Sequence, residues 1–137
     1  MKKIKLLIII LSLLTITGCS KKYSLSTFDF SVPSAWECAK VSDYNYVFYN
    51  DNSEVLDIEL FTPNTYPTAI NLLTVAILED YPLTTIANCR VYTNSEYNEY
   101  IVYGGGAVGN DNAVLLDFAS GVSETEIETI IKTIKSN

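Results

Sequence analysis

Carboxylates are the side chains in this sequence that are best suited to acid–base chemistry. The chain of 137 residues contains no histidine, so a general acid or base would have to be a carboxyl group, a tyrosine or a lysine. Asp57 and Glu59 alternate with Leu56, Ile58 and Leu60, which predicts that both carboxylates lie on one face of a strand. Two interpretations follow: a catalytic pair in a small hydrolase, or solvated acids on the surface of an acidic domain.

Other catalytic and metal-binding motifs are missing or incomplete. A serine triad is excluded, because no histidine is present to take a proton from serine. The same absence argues against zinc, since only two cysteines remain when Cys19 is set aside. Gly104–Gly106 lacks the lysine of a phosphate-binding loop, and neither Asp51–Glu54 nor Asn110–Asn112 has the spacing of an EF-hand. We therefore predict a protein that is not an enzyme and uses no metal or cofactor.

Tyrosine is the most suggestive residue type, with ten in the chain. Several tyrosines lie on or beside predicted strands, and Tyr46, Tyr92 and Tyr100 are the candidates for an exposed aromatic face. Such a face suits contact with a protein or a glycan, because an aromatic ring combines apolar area with a polar group. The competing interpretation places these rings in the core.

Cys38 and Cys89 are the cysteines that remain beyond Cys19. Outside the cytoplasm, such a pair is permitted to form a disulfide. The alternative is two buried free thiols that act as small apolar residues. Neither belongs to a Cys-x-x-Cys pair, which argues against redox catalysis.

The hydrophobic pattern predicts an α+β domain, in which an antiparallel sheet of about six strands is flanked by helices. Strict alternation predicts strands, among them Thr27–Val32, Glu54–Phe61 and a continuous strand over Thr85–Thr93. A first helix is predicted from apolar residues at helical spacing, which are Ala69, Ile70, Leu73, Ala76 and Ile77. A second helix begins at a capping box, Ser123 and Glu126. Its apolar stripe consists of Ile127, Ile130, Ile131 and Ile134.

The first nineteen residues have the composition of an export signal. Three lysines among the first five residues precede an apolar run, Leu6–Ile16, which is shorter than the roughly 20 residues that span a bilayer. The stretch Ile16–Cys19 then resembles the lipobox of bacterial lipoproteins. The resemblance implies cleavage before Cys19 and a diacylglycerol on its sulfur, which would anchor the protein on the extracytoplasmic face of the bacterial cell membrane. An uncleaved anchor helix is the alternative.

The remainder of the chain is strongly acidic. Residues 1–19 hold three of the nine basic residues and no acid, so the formal net charge falls from −7 to −10 without them. Nucleic acid is excluded as a partner, since neutralising phosphates requires clustered Lys and Arg. Residues 20–26 are polar and predict a short tether, and residues 27–137 form the predicted domain. A short tether limits the partners to molecules near the membrane.

The start of this domain resembles the PsbP/Mog1-like superfamily. Phe28–Trp36 has the pattern aromatic-x-aromatic-x-Val-Pro-x-x-Trp, and the order of predicted elements is similar over Thr27–Lys135. The resemblance implies an antiparallel sheet flanked by helices. It implies no activity and no functional residue, since members serve as photosystem subunits, Ran-binding factors or bacterial envelope proteins. We therefore expect a non-enzymatic binding module for an envelope protein or a cell-wall glycan, with an envelope hydrolase as the alternative.

Overall fold

The structure is a computed structural model that describes residues 20–104 and 106–137. The predicted signal segment with its Cys19 lies outside the described residues, as does Gly105 in the triple glycine. The strands are β1 (Ser20–Leu25), β2 (Phe28–Pro33), β3 (Glu37–Ser42), β4 (Asn45–Asn50), β5 (Ser53–Phe61), β6 (Leu83–Ile86), β7 (Cys89–Asn94), β8 (Glu99–Tyr103), β9 (Ala113–Phe118) and β10 (Lys135–Ser136). The helices are α1 (Ala69–Leu78) and α2 (Glu124–Lys132).

These elements form two antiparallel sheets with helices packed on them, which confirms the α+β class. The larger sheet has seven strands in the order β3-β4-β5-β9-β8-β7-β6, and the smaller sheet has the order β1-β2-β10. The prediction of one sheet of about six strands was therefore too small. The sequence did not predict β1 or the short β10, and it predicted a single strand where the structure has β6 and β7.

The main core lies between the large sheet on one side and the small sheet with α2 on the other. Its aromatic centre joins the two sheets, because Phe30 from β2 packs edge-to-face on Phe48 from β4, with 5.9 Å between ring centroids. The predicted stripe of α2 is confirmed, since all four isoleucines are buried in this core. The predicted N-cap of α2 is confirmed, because the Glu126 backbone N–H donates to the Ser123 hydroxyl at 3.2 Å, but the return bond of a capping box is not found between these two described residues.

Helix α1 covers part of the opposite face of the large sheet, but not with the predicted stripe. Ala69 and Ala76 are buried against the sheet, whereas Ile70 and Ile77 are 67% and 58% exposed. The prediction failed because α1 contains no charged residue. Without a polar face, spacing alone does not define which side is buried, and here the two alanines share a buried cluster with Phe61 of β5.

The predicted tether, residues 20–26, is wrong for Ser20–Leu25, which forms β1. Leu25 is fully buried, and the Tyr23 ring stacks on Phe30 with 5.9 Å between centroids. Lys22 pairs with Asp29 of β2 at 3.3 Å, so even a polar residue is tied to the small sheet. The sequence looked like a tether because an edge strand needs few apolar side chains.

The predicted strand Thr85–Thr93 is two strands joined by a tight turn. Ile86 of β6 pairs with Cys89 of β7, and Ala87 between them has a left-handed backbone with φ of 54°. Alternation did not reveal the turn, because both arms of a hairpin alternate with the same period. Ala87 and Asn88 also lack the glycine that commonly marks such turns.

Cys38 and Cys89 are free thiols rather than a disulfide. Cys38 is exposed on the edge strand β3, and Cys89 is buried on β7, five strands away in the large sheet. At about 4.8 Å per strand this separation is about 24 Å, whereas a disulfide requires Cα atoms within about 7 Å. Burial raises the pKa of both thiols, and Lys21 partly opposes the rise at Cys38.

Candidate functional site

The three candidate tyrosines do not form one aromatic face. Tyr46 is half-buried over the main core, and its hydroxyl donates to the Ser24 carbonyl at 3.0 Å. Tyr92 lies on the α1 side of the large sheet, stacked on Tyr103 with 5.6 Å between centroids. Tyr100 faces the main core and is only 8% exposed. The prediction of a shared binding face is therefore wrong, although Tyr100 lies in a different candidate site.

That site is a cleft of about 690 Å³ between α2 and the strands β6, β7 and β8. We call it the α2 cleft. Its volume falls within the roughly 300–1,000 Å³ that is common for small-molecule sites. Five residues that carry a hydroxyl group line it, namely Thr84, Thr85, Thr93, Ser95 and Tyr100.

The strand pattern explains why this space is not filled by the core. Thr84 pairs with Val91, and Thr93 pairs with Tyr100, so both threonines lie on the core-facing side of the sheet. Short hydroxylated side chains therefore occupy positions where large apolar ones would complete the packing against α2. One signal for this was in the sequence, since Thr93 continues the face that carries Cys89 and Val91.

Tyr100 is held rigidly in the inner wall of the α2 cleft. Its ring packs edge-to-face on Phe118 of β9, with 5.8 Å between centroids. In the described part of the chain, every fully buried side-chain nitrogen or oxygen has a hydrogen-bond partner, whereas the Tyr100 hydroxyl takes part in none of the side-chain hydrogen bonds found there. This hydroxyl is therefore accessible from the cleft and free to bind a ligand.

The charges of the α2 cleft come from the helix. Glu124, Glu128 and Lys132 follow one another at intervals of four residues, which places them along one stripe of α2. Ion pairs in residues 20–104 and 106–137 are Lys22–Asp29 and Lys40–Asp43, so neither glutamate is paired with a cation there. Burial is the largest cause of a raised pKa at Tyr100, and the nearby negative charges of Glu124 and Glu128 raise this pKa further. Its phenol consequently remains protonated and is a hydrogen-bond donor at neutral pH.

A second group of carboxylates crosses the opposite face of the large sheet. Asp57 pairs in register with Asp117, and Asp117 pairs with Glu99, so three acids lie side by side on β5, β9 and β8. We call these three residues the acidic row. Burial, together with neighbouring carboxylates, raises the pKa of Asp117, of Glu99 and also of Glu59.

The acidic row contains one member of the predicted carboxylate pair. Asp57 and Glu59 do share a strand face, but Asp57 is tied by a hydrogen bond from the Asn45 amide at 2.6 Å. The sequence missed Glu99 and Asp117, because pairing between distant strands brings them there. Within residues 20–104 and 106–137, no group of three or more Cys, Asp or Glu side chains is arranged to hold a metal ion, and this includes the acidic row. No helix in that part of the chain is long and apolar enough to cross a membrane.

Comparisons with known proteins bear on the fold alone. No protein-family model matches the chain, and no curated protein matches it. A crystal structure of a protein from Bacteroides thetaiotaomicron VPI-5482, at 1.50 Å resolution, is similar with a TM-score of 0.54 and 18% sequence identity. The similarity covers 87% of this chain and 49% of that chain, so this chain spans about half the length of that protein. At this identity the comparison supports the α+β architecture and says nothing about activity.

Proposed function

We propose that the chain is a bacterial lipoprotein whose PsbP/Mog1-like domain binds an envelope ligand in the α2 cleft. The lipid on Cys19 would hold the domain at the extracytoplasmic face of the cell membrane. The ligand is an envelope protein or a cell-wall glycan, and it is bound without chemical change. The antiparallel sheet with helices on both faces supports the superfamily resemblance of the Phe28–Trp36 motif.

The start of β1 supports a close approach to the membrane. β1 begins at Ser20, directly after Cys19, so the ordered domain leaves no free spacer behind a lipidated cysteine. Ser20 pairs with Pro33, whose carbonyl accepts from the Trp36 N–H at 3.0 Å. Trp36 in turn lines a small cleft together with Glu126, in the first turn of α2. The start of β1 and the start of α2 therefore lie at the same end of the domain.

One observation carries the assignment of the site: the accessible hydroxyl of the otherwise buried Tyr100. Binding is favoured over catalysis by the placement of the two cleft carboxylates. Glu124 and Glu128 project from the same stripe of α2, so both reach a ligand from one side. The carboxylates of most glycoside hydrolases instead flank the bond that they cleave.

Mass spectrometry of the full chain purified from bacterial membranes tests the anchor. We expect a chain that begins at an acylated Cys19, and a Cys19→Ser variant that retains its leader and carries no lipid. An intact leader with an unmodified Cys19 in the wild type would overturn the lipoprotein assignment.

Sedimentation with purified cell-wall sacculi, and photo-crosslinking in intact cells, test the binding function. We expect the full chain to capture the wall or one envelope protein, and Tyr100→Phe to weaken this capture about tenfold, since a lost hydrogen bond is worth about 1–1.5 kcal/mol. Tyr97→Phe is the matched control, because Tyr97 is exposed and lies outside the α2 cleft. Capture that is absent, or equally weakened by both variants, would contradict the proposal.

A further inference from the structure

We propose that the α2 cleft selects a polyhydroxylated ligand that carries a free amine, namely an oligosaccharide of de-N-acetylated amino sugars. The inference rests on the proposed function and names the chemical class of the ligand. Three features of the cleft point to it: the hydroxyl and amide groups, the unpartnered Tyr100 phenol, and the unpaired carboxylates on α2.

The polar groups of the α2 cleft match a ligand that is rich in hydroxyls. Thr84, Thr93 and Ser95 each donate and accept, as sugar hydroxyls do. Asn98 adds an amide whose nitrogen is directed to the Ala119 carbonyl at 3.4 Å, which leaves its oxygen as an acceptor for the ligand. Groups that both donate and accept suit hydroxyl ligands better than aliphatic or purely anionic ones.

Tyr100 supplies the specific contact. More than nine-tenths of the residue is buried, its ring packs against Phe118, and the residue lines the α2 cleft with its hydroxyl accessible. The Tyr100 hydroxyl has no protein partner among the described residues, so a ligand oxygen that reaches it replaces water and gives a modest net gain. Ile86 is half-buried, lines the same cleft and offers apolar surface to the C–H faces of a sugar ring.

The carboxylates determine the charge of the ligand. Glu124 and Glu128 form no ion pair within residues 20–104 and 106–137, and Lys132 is the single cation that lines the α2 cleft. A ligand amine would contact them by charge-assisted hydrogen bonds, which are stronger than neutral ones. An N-acetylated sugar would place an uncharged amide there, and an anionic polymer would be repelled.

Calorimetric titration of the full chain in non-ionic detergent tests the inference. The probes are a glucosamine tetramer, its fully N-acetylated counterpart and a lysine tetrapeptide. We expect the glucosamine tetramer to bind about tenfold or more tightly than the other two, because a hydrogen bond to a charged group is worth about 1.5–3 kcal/mol. Glu128→Gln should reduce this preference to about threefold or less, and Tyr100→Phe should weaken binding of both sugars.

Glu126→Gln is the matched control. It removes the same charge from the same helix, but Glu126 lines a different cleft, so the preference should remain. Equal loss in Glu126→Gln and Glu128→Gln would mean non-specific attraction to an acidic surface and would overturn the inference. Equal affinity for both sugars, or for the lysine peptide, would also overturn it. In that case wall capture that still depends on Tyr100 would leave the proposed function standing.

Discussion

Replacing Asp117 with asparagine is expected to stabilise the fold at neutral pH. Asp117 lies in register between Asp57 and Glu99, so its carboxylate faces a like charge on each neighbouring strand. Partial burial is the largest cause of a raised pKa at Asp117, and the negative charge of Asp57 raises this pKa further. The substitution removes the central charge of the acidic row and keeps nearly the same shape.

The magnitude follows from the two cross-strand pairs. An oppositely charged cross-strand pair contributes about 0.2–1 kcal/mol and like charges directly opposite are destabilising, so a repulsion of similar size gives an upper range of about 0.4–2 kcal/mol for the two pairs. Although partial desolvation raises its pKa, Asp117 remains exposed to solvent, so salt and solvent screen both pairs. We therefore expect Asp117→Asn to raise the free energy of unfolding by about 0.5–1 kcal/mol at pH 7.

The pH dependence has a definite sign. The pKa of Asp117 is higher in the folded state than its ordinary value, so the folded chain holds the proton more tightly than the unfolded chain. Its contribution therefore favours folding at low pH, and this advantage is lost as pH rises through the folded-state pKa. The increase in the free energy of unfolding that Asp117→Asn produces should accordingly be greatest near pH 7 and nearly vanish near pH 3.

Urea unfolding followed by tryptophan fluorescence measures this effect, since Trp36 is the single tryptophan and is buried. Glu96→Gln is the control, because Glu96 is exposed in a turn outside the acidic row. We expect this control to change stability by less than about 0.5 kcal/mol. An Asp117→Asn variant that is no more stable at pH 7, or equally stabilised at pH 3, would refute the reasoning.

Three further predictions concern the core, a turn and the thiols. Ile131→Ala should destabilise the fold by about 2–5 kcal/mol in the same assay, because Ile131 is fully buried on the core-facing side of α2; a cost below about 1 kcal/mol would contradict the packing. Gly109→Ala should destabilise by about 1–3 kcal/mol, since φ is +99° and a Cβ would meet the Asn112 amide at 2.8 Å, and an unchanged midpoint would argue against this turn. A thiol reagent should label Cys38 in the native protein and Cys89 only after unfolding; protection of both, released only by reductant, would indicate a disulfide.

The helices show when sequence determines which face is buried. In α2, charged residues alternate with the isoleucine stripe, so a single orientation buries Ile127 and Ile131 without burying a charge. In α1 every orientation buries an apolar face, and the small residues Ala69 and Ala76 decide the packing. That choice depends on the shape of the sheet below, which local sequence does not contain.

The strands and the α2 cleft show the limits of local patterns. The chain reverses direction at Ala87 without interrupting the alternation of apolar and polar residues. β1 is an edge strand, and only its Tyr23 and Leu25 face the core. The α2 cleft depends on pairing Thr93 with Tyr100 and on the position of a helix that begins far along the chain. Sequence supplied the residue types for this site, while only the tertiary pairing brought them together.

The binding role of the α2 cleft is tested most directly by an NMR titration of the isotopically labelled full chain in non-ionic detergent. The titrant is a soluble digest of purified cell wall. We expect shifts of backbone amides to be confined to residues that line the α2 cleft, with Thr84, Thr93, Asn98 and Glu128 among them. Saturable shifts centred on α1 or on the acidic row, with the cleft residues unmoved, would contradict the account.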